Sequence, residues 1–119
     1  MDVPGPAARL RIFVGENDTY QSRPLAEALI LKAQELGLAG ATAMRGSAGY
    51  GPKNPSLPAQ SPELLLSRDL PVIVEIVDSR DMVSQYLDAV QPMIRSGLIT
   101  LDTIQVLRYG PVTGQPGLC

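Results

Sequence analysis

The sequence predicts an α+β domain in which two helices cover one face of a four-stranded antiparallel sheet, and three observations predict it. Four segments carry strand-type alternation or short apolar runs, and two others place apolar residues at helical spacing. Their order is strand, helix, strand, long loop, strand, helix, strand. Two split βαβ halves in that order close into a ferredoxin-like βαββαβ sheet with both helices on the same side. At 119 residues the chain is one domain with room for one core.

Met1–Ala8, with two prolines and a glycine, reads as a flexible leader, and the domain proper as 9–110. In the first strand Leu10, Ile12 and Val14 alternate with Arg9, Arg11 and Phe13, and Glu16-Asn17-Asp18 ends it with turn chemistry. Ser22 offers an N-cap and Pro24 a first-turn proline for a helix whose stripe is Leu25, Leu29, Ala33 and Leu36, with Gly37 as its C-cap. Leu38–Arg45 is a second strand of small residues. The segment 46–67 follows, with glycines at 46, 49 and 51 and prolines at 52, 55, 58 and 62, and reads as a long mobile loop.

Leu70–Val77 is the strongest strand: Val72, Val74 and Ile76 lie on one face, Ile73 and Val77 on the other beside Glu75. A strand so apolar on both sides is covered on both sides. Two helices on one face leave the other apolar face to another subunit, which periodicity alone allows in a dimer or a trimer. Asp78 or Ser79 caps the second helix, with Val83, Tyr86, Leu87, Val90 and Ile94 in register and Pro92 starting an irregular last turn. Ile99–Asp102 reads as a connection, Thr103–Tyr109 as the last strand, and 111–119 as a flexible tail.

Composition narrows the function. A net charge of −2 argues against nucleic-acid binding, and the absence of histidine removes Ser-His-Asp and Cys-His triads and His-based zinc sites. The lone Cys119 cannot form an internal disulfide, and no apolar run is long enough for a membrane span, so a cytoplasmic protein is expected. The balance favours binding over catalysis, and no enzyme activity is assigned.

The pieces also resemble a known family. Arg9–Asp18 is similar to its opening strand and GE-x-D turn, and Arg23–Leu29 to its PL-x-EA helix start. Gly37–Thr42 with Arg45-Gly46 and Gly49-Tyr50-Gly51 resembles its GLAGAT…RG…G-[FY]-G stretch, Leu70–Asp78 its LPV-x-VEIVD strand, and Gly97–Leu101 its G-L-[IV]-T segment. This is the PII-like family, domain of unknown function 190, similar to PII signalling proteins and more distantly to CutA. The resemblance implies a homotrimer with sheets packed inwards. It further implies a small-molecule effector, an adenine nucleotide or a similar molecule, in the inter-subunit clefts, and control of a membrane transporter, channel or enzyme through the long loop. The protein is not itself membrane-embedded on this reading. PII proteins cradle the phosphates with a glycine- and lysine-containing loop before the last strand. Ser96–Asp102 here has one glycine and no lysine, so AMP or ADP is expected over ATP.

The nucleotide-binding candidates are Arg45, Gly46, Gly49, Tyr50, Gly51 and Arg108. Glycines let backbone N–H groups approach an anion, Arg45 supplies a bidentate charge, and Tyr50 can stack on a base. The same run also fits a strand end with bulge and turn glycines. Arg108, expected on one strand face with Ile104 and Val106, is either a ligand contact or an edge charge used against aggregation. The alternative function is a CutA-like trimer that binds divalent cations, which would need carboxylate ligands converging in a cleft. Glu16-Asn17-Asp18 could ligate a hard cation but fits turn and capping duty better, and no metal-ligating residue is assigned.

Overall fold

The computed structural model describes residues 5–51 and 69–111. Strand β1 (Gly5–Gly15) leads through a hairpin of β2 (Thr19–Tyr20) and β3 (Arg23–Pro24) into helix α1 (Leu25–Glu35). Then come β4 (Ala41–Arg45), β5 (Pro71–Asp78), helix α2 (Arg80–Val90) with a 3-10 turn at Gln91–Met93, and β6 (Leu98–Val106). The sheet order is β4-β5-β1-β6, antiparallel throughout, as the βαββαβ reading requires.

Period-two patterning decides the two faces. Leu10, Ile12, Val74 and Ile76 are fully buried, and Val14 and Val72 nearly so, against Leu25, Leu29 and Ala33 of α1 and Val83, Tyr86 and Val90 of α2. The Tyr86 hydroxyl donates to the Leu29 carbonyl at 2.8 Å, which ties α2 to α1 inside this core. Gly37, at φ +78, closes α1, and the Leu38 N–H returns to the Ala33 carbonyl at 3.0 Å. Ser79 caps α2 by accepting from the Met82 N–H at 3.3 Å.

Three local expectations are corrected. β1 begins at Gly5, because Gly5–Ala8 of the expected leader pair with β6 and Ala8 is fully buried. Ser22 does not cap α1: Gln21 and Ser22, at φ 50 and 67, form the two-residue turn of the β2–β3 hairpin. Pro24 occupies the cap position, and the Leu25 N–H donates to the Asp18 carbonyl at 2.8 Å instead. The last strand runs Leu98–Val106 rather than Thr103–Tyr109, since its register with β1 pairs Leu98 with Phe13 and Val106 with Gly5. Residues 52–67 of the expected long loop and 112–119 of the expected tail lie outside the described residues.

On the helix-free face, cross-strand register assembles three rows. Met44, Ile73, Phe13 and Leu98 make an apolar row across all four strands, with Met44 40% and Leu98 48% exposed. Thr42, Glu75, Arg11 and Thr100 make a polar one, and Val77, Arg9 and Asp102 the third. Arg9 pairs with Asp102 at 3.0 Å, and Nε of Arg11 lies 3.5 Å from Glu75. The apolar face expected from β5 is therefore half apolar and half ion-paired, because β1 contributes two arginines to it.

Candidate functional site

The candidate residues fall at the two ends of β4. At its C-terminal end, Arg45 forms an ion pair with Glu16 at 2.6 Å. The next residue, Gly46, donates its N–H to the Pro71 carbonyl at 2.7 Å, so β4 leaves the sheet pressed against the start of β5. A side chain at Gly46 would place its Cβ 2.8 Å from Pro71 Cγ, and Gly49 adopts φ +146 with Pro71 Cγ 3.1 Å from its Cβ position. These two glycines therefore serve close approach and a turn. Tyr50 is 83% exposed and Gly51 is open to solvent. Nothing among the described residues closes over this loop base to form a nucleotide cradle.

Arg108 lies at the other end. It leaves the sheet after β6 and does not share a strand face with Ile104 and Val106 as expected, because β6 ends at Val106. With Tyr109 and Val106 it lines a cavity of about 340 Å³ whose other walls are Ala39–Thr42, Glu75 and Val77. The Tyr109 hydroxyl donates to the Ala39 carbonyl at 2.8 Å, joining two of these walls. The Ala39 N–H in turn donates to Asp78 Oδ2 at 2.8 Å, while Oδ1 accepts from the Ser79 N–H at 2.6 Å. Ala39, at the lip of the cavity, is thus held through its N–H by the fully buried Asp78 and through its carbonyl by Tyr109.

Along β4, Arg45 lies three residue steps beyond Thr42, the nearest cavity wall on that strand, or roughly 10 Å. The single chain therefore does not bring Arg45, Gly46, Gly49, Tyr50 and Gly51 together with Arg108. Sequence reasoning missed Ala39–Thr42, Glu75, Val77 and Tyr109 as cavity walls. Small residues at 39–41 read as a weak strand, and their use as a lip follows from the Asp78 and Tyr109 contacts. The stretch Ser96–Asp102, expected to be a loop, leaves a short bend at Ser96 and enters β6 directly after Gly97. It borders a shallow depression with Gln91, Ile94, Arg95 and Ile99. Among the described residues no three His, Cys, Asp or Glu side chains converge to hold a metal ion. No described helix is long and apolar enough to cross a membrane.

Compared with known proteins, residues 7–106 match the family described as "Uncharacterized ACR", domain of unknown function 190. The chain belongs to this family. A UPF0166 protein of Aquifex aeolicus is 36% identical over 98 residues, 82% of this chain and 90% of its own. Another, from Methanocaldococcus jannaschii, is 28% identical over 83% of this chain and 90% of its own. Among solved structures, CPII of Thiomonas intermedia K12, bound to ADP, AMP and acetate, aligns with a TM-score of 0.60 at 18% identity, over 90% of this chain and 94% of that one. Its apo form is described as a nitrogen regulatory PII-like protein and aligns with a TM-score of 0.56 at 18% identity, over 85% of this chain and 91% of that one. A Thermus thermophilus protein classed as PII-like gives 0.57 at 15% identity, covering 86% of this chain and 90% of that one. The chain thus has the PII-like fold.

Proposed function

We propose that the protein is a PII-like regulatory homotrimer that binds an adenine nucleotide, AMP or ADP in preference to ATP, between its subunits. The observation that carries this reading is the division of the candidate residues into two half-sites at opposite ends of β4. Each is incomplete alone: the cavity beside Arg108 and Tyr109 has one strong cation, and the Arg45–Gly51 base has no wall facing it among the described residues. A neighbouring subunit that brings its Arg45–Gly51 base against this subunit's cavity completes both. The cavity has the mixed character of a nucleotide site: Ala41, Val77 and Val106 are apolar, and Arg108, Thr42 and Glu75 are polar. CPII, which shares the fold, is named with ADP and AMP bound, and this supports the choice of ligand class.

The role is binding rather than catalysis, and the setting is cytoplasmic. Nucleotide binding would act on a partner protein, a transporter, channel or enzyme, through the segment after β4. A ligand shifts such an equilibrium only by its differential affinity for the two states. Light scattering for subunit number, followed by calorimetric titration with AMP, ADP and ATP, tests the reading. A trimer that takes up AMP or ADP with heat is expected; a monomer, or a trimer silent to all three, overturns it.

A further inference from the structure

The base of β4 carries a charge arrangement that nucleotide binding by itself does not require. Nε of Arg45 lies 2.6 Å from Oε2 of Glu16, and the carboxylate is the more buried partner, 25% exposed against 65% for Arg45. The main chain that carries Glu16 is held in place, because its N–H donates to the Leu70 carbonyl at 2.8 Å and fixes the turn against the lead-in to β5. Two more carboxylates stand on or beside this turn. Asp18 Oδ2 accepts from the Gly15 N–H at 2.8 Å, and Asp69 Oδ1 from the Asn17 N–H at 3.1 Å. Backbone donors hold both of these, whereas Glu16 is spent on the guanidinium.

We propose that Glu16 is a selectivity residue: it occupies Arg45 and keeps the loop base negative, so that the site accepts a ligand of low phosphate charge and penalises a triphosphate. The proposal rests on the nucleotide reading above. A phosphate that approaches Arg45 must share the guanidinium with a carboxylate already on it. The resulting repulsion grows in proportion to the charge the ligand brings. Because both groups are partly exposed, the effect is moderate and screened by salt. Glu16 acts through Arg45 and touches the ligand only if the phosphate displaces it.

The experiment compares AMP, ADP and ATP by calorimetry, without divalent cations, on the wild type, Glu16→Gln, and the charge-matched control Glu27→Gln. Glu27 is an exposed acid in the first turn of α1. Glu16→Gln is expected to tighten ATP about five- to tenfold and AMP about two- to threefold, with Glu27→Gln near the wild type. In the wild type, raising salt to about 0.5 M should increase the ratio of ATP to AMP affinity, which checks the idea without any variant. Equal gains for AMP and ATP, the same gains in Glu27→Gln, or a salt-independent ratio overturns the role of Glu16 and leaves nucleotide binding intact. Silence of every protein towards all three nucleotides overturns the nucleotide reading, and this inference falls with it.

Discussion

Replacing Asp78 with alanine tests the account of the cavity lip most directly. The carboxylate is fully buried and accepts from Ala39 at 2.8 Å and from Ser79 at 2.6 Å. Hydrogen bonds to a charged acceptor contribute about 1.5–3 kcal/mol each. Ala39 and Ser79 are only half-buried, so water recovers part of the loss. The net cost is about 3 kcal/mol, a large share of the roughly 5–15 kcal/mol that stabilises a domain. Urea denaturation reads this as a lower midpoint at unchanged slope, and thermal melting as a drop of roughly 10–20 °C. Asp78→Asn keeps one acceptor oxygen but sets an amide N–H₂ against a backbone donor, so it should recover at most half of the stability and serves if the alanine variant fails to fold. A shift worth less than about 1 kcal/mol for both variants would refute the argument that this carboxylate clamps the lip.

Tyr109→Phe removes the hydroxyl from the Ala39 carbonyl at an exposed site; stability should change by less than about 1 kcal/mol, while calorimetry should find nucleotide affinity lowered about three- to tenfold. Gly46→Ala forces a Cβ to within 2.8 Å of Pro71 Cγ, and chemical denaturation should record a loss of about 1–3 kcal/mol. Tyr86→Phe strips the buried hydrogen bond to Leu29 and should cost about 1 kcal/mol in the same assay. Burial also pushes the Tyr86 hydroxyl well above its ordinary pKa of 10.0. The folded state thus resists an ionisation that the unfolded chain undergoes freely. This contribution is intact below pH 10 and is lost as pH rises towards the folded-state value, so Tyr86→Phe should flatten the alkaline arm of the stability profile measured by urea midpoint.

Much of the sheet was legible because its signals are local. Leu10, Ile12 and Val14 alternate over a few residues, and the burial of each follows from that period and needs no distant partner. Leu25, Leu29 and Ala33 in α1, and Val83, Tyr86 and Val90 in α2, are equally short-range patterns. Boundaries were harder where a distant strand or a turn decides them. Thr103–Tyr109 looks strand-like in isolation, yet pairing with β1 draws the strand back to Leu98 and leaves Arg108 and Tyr109 outside it. Ser22 is a good cap residue by type, and the hairpin turn claims it first. The candidate site divides in the same way. The glycines at 46 and 49 were legible as backbone devices, while the lip at Ala39–Thr42 has no chemical signature.

The sequence by itself determined the βαββαβ order, the two helices, the identity of the core face, and the exclusion of histidine chemistry. Each depends on residue type and on spacings of a few positions, which the chain carries whatever its global path. Tertiary structure decided how far apart the candidate site residues lie. Arg45 and Arg108 stand at opposite ends of β4 because β6 runs along β1, on the far side of β5 from β4, and the chain beyond it crosses back to place Tyr109 on Ala39. It also decided that Glu16 meets Arg45: β1 and β4 flank β5, so their ends come together beside Pro71 although they are far apart in sequence. Register and strand order are long-range quantities, and a cavity or an ion pair built from them exists only after the sheet has closed.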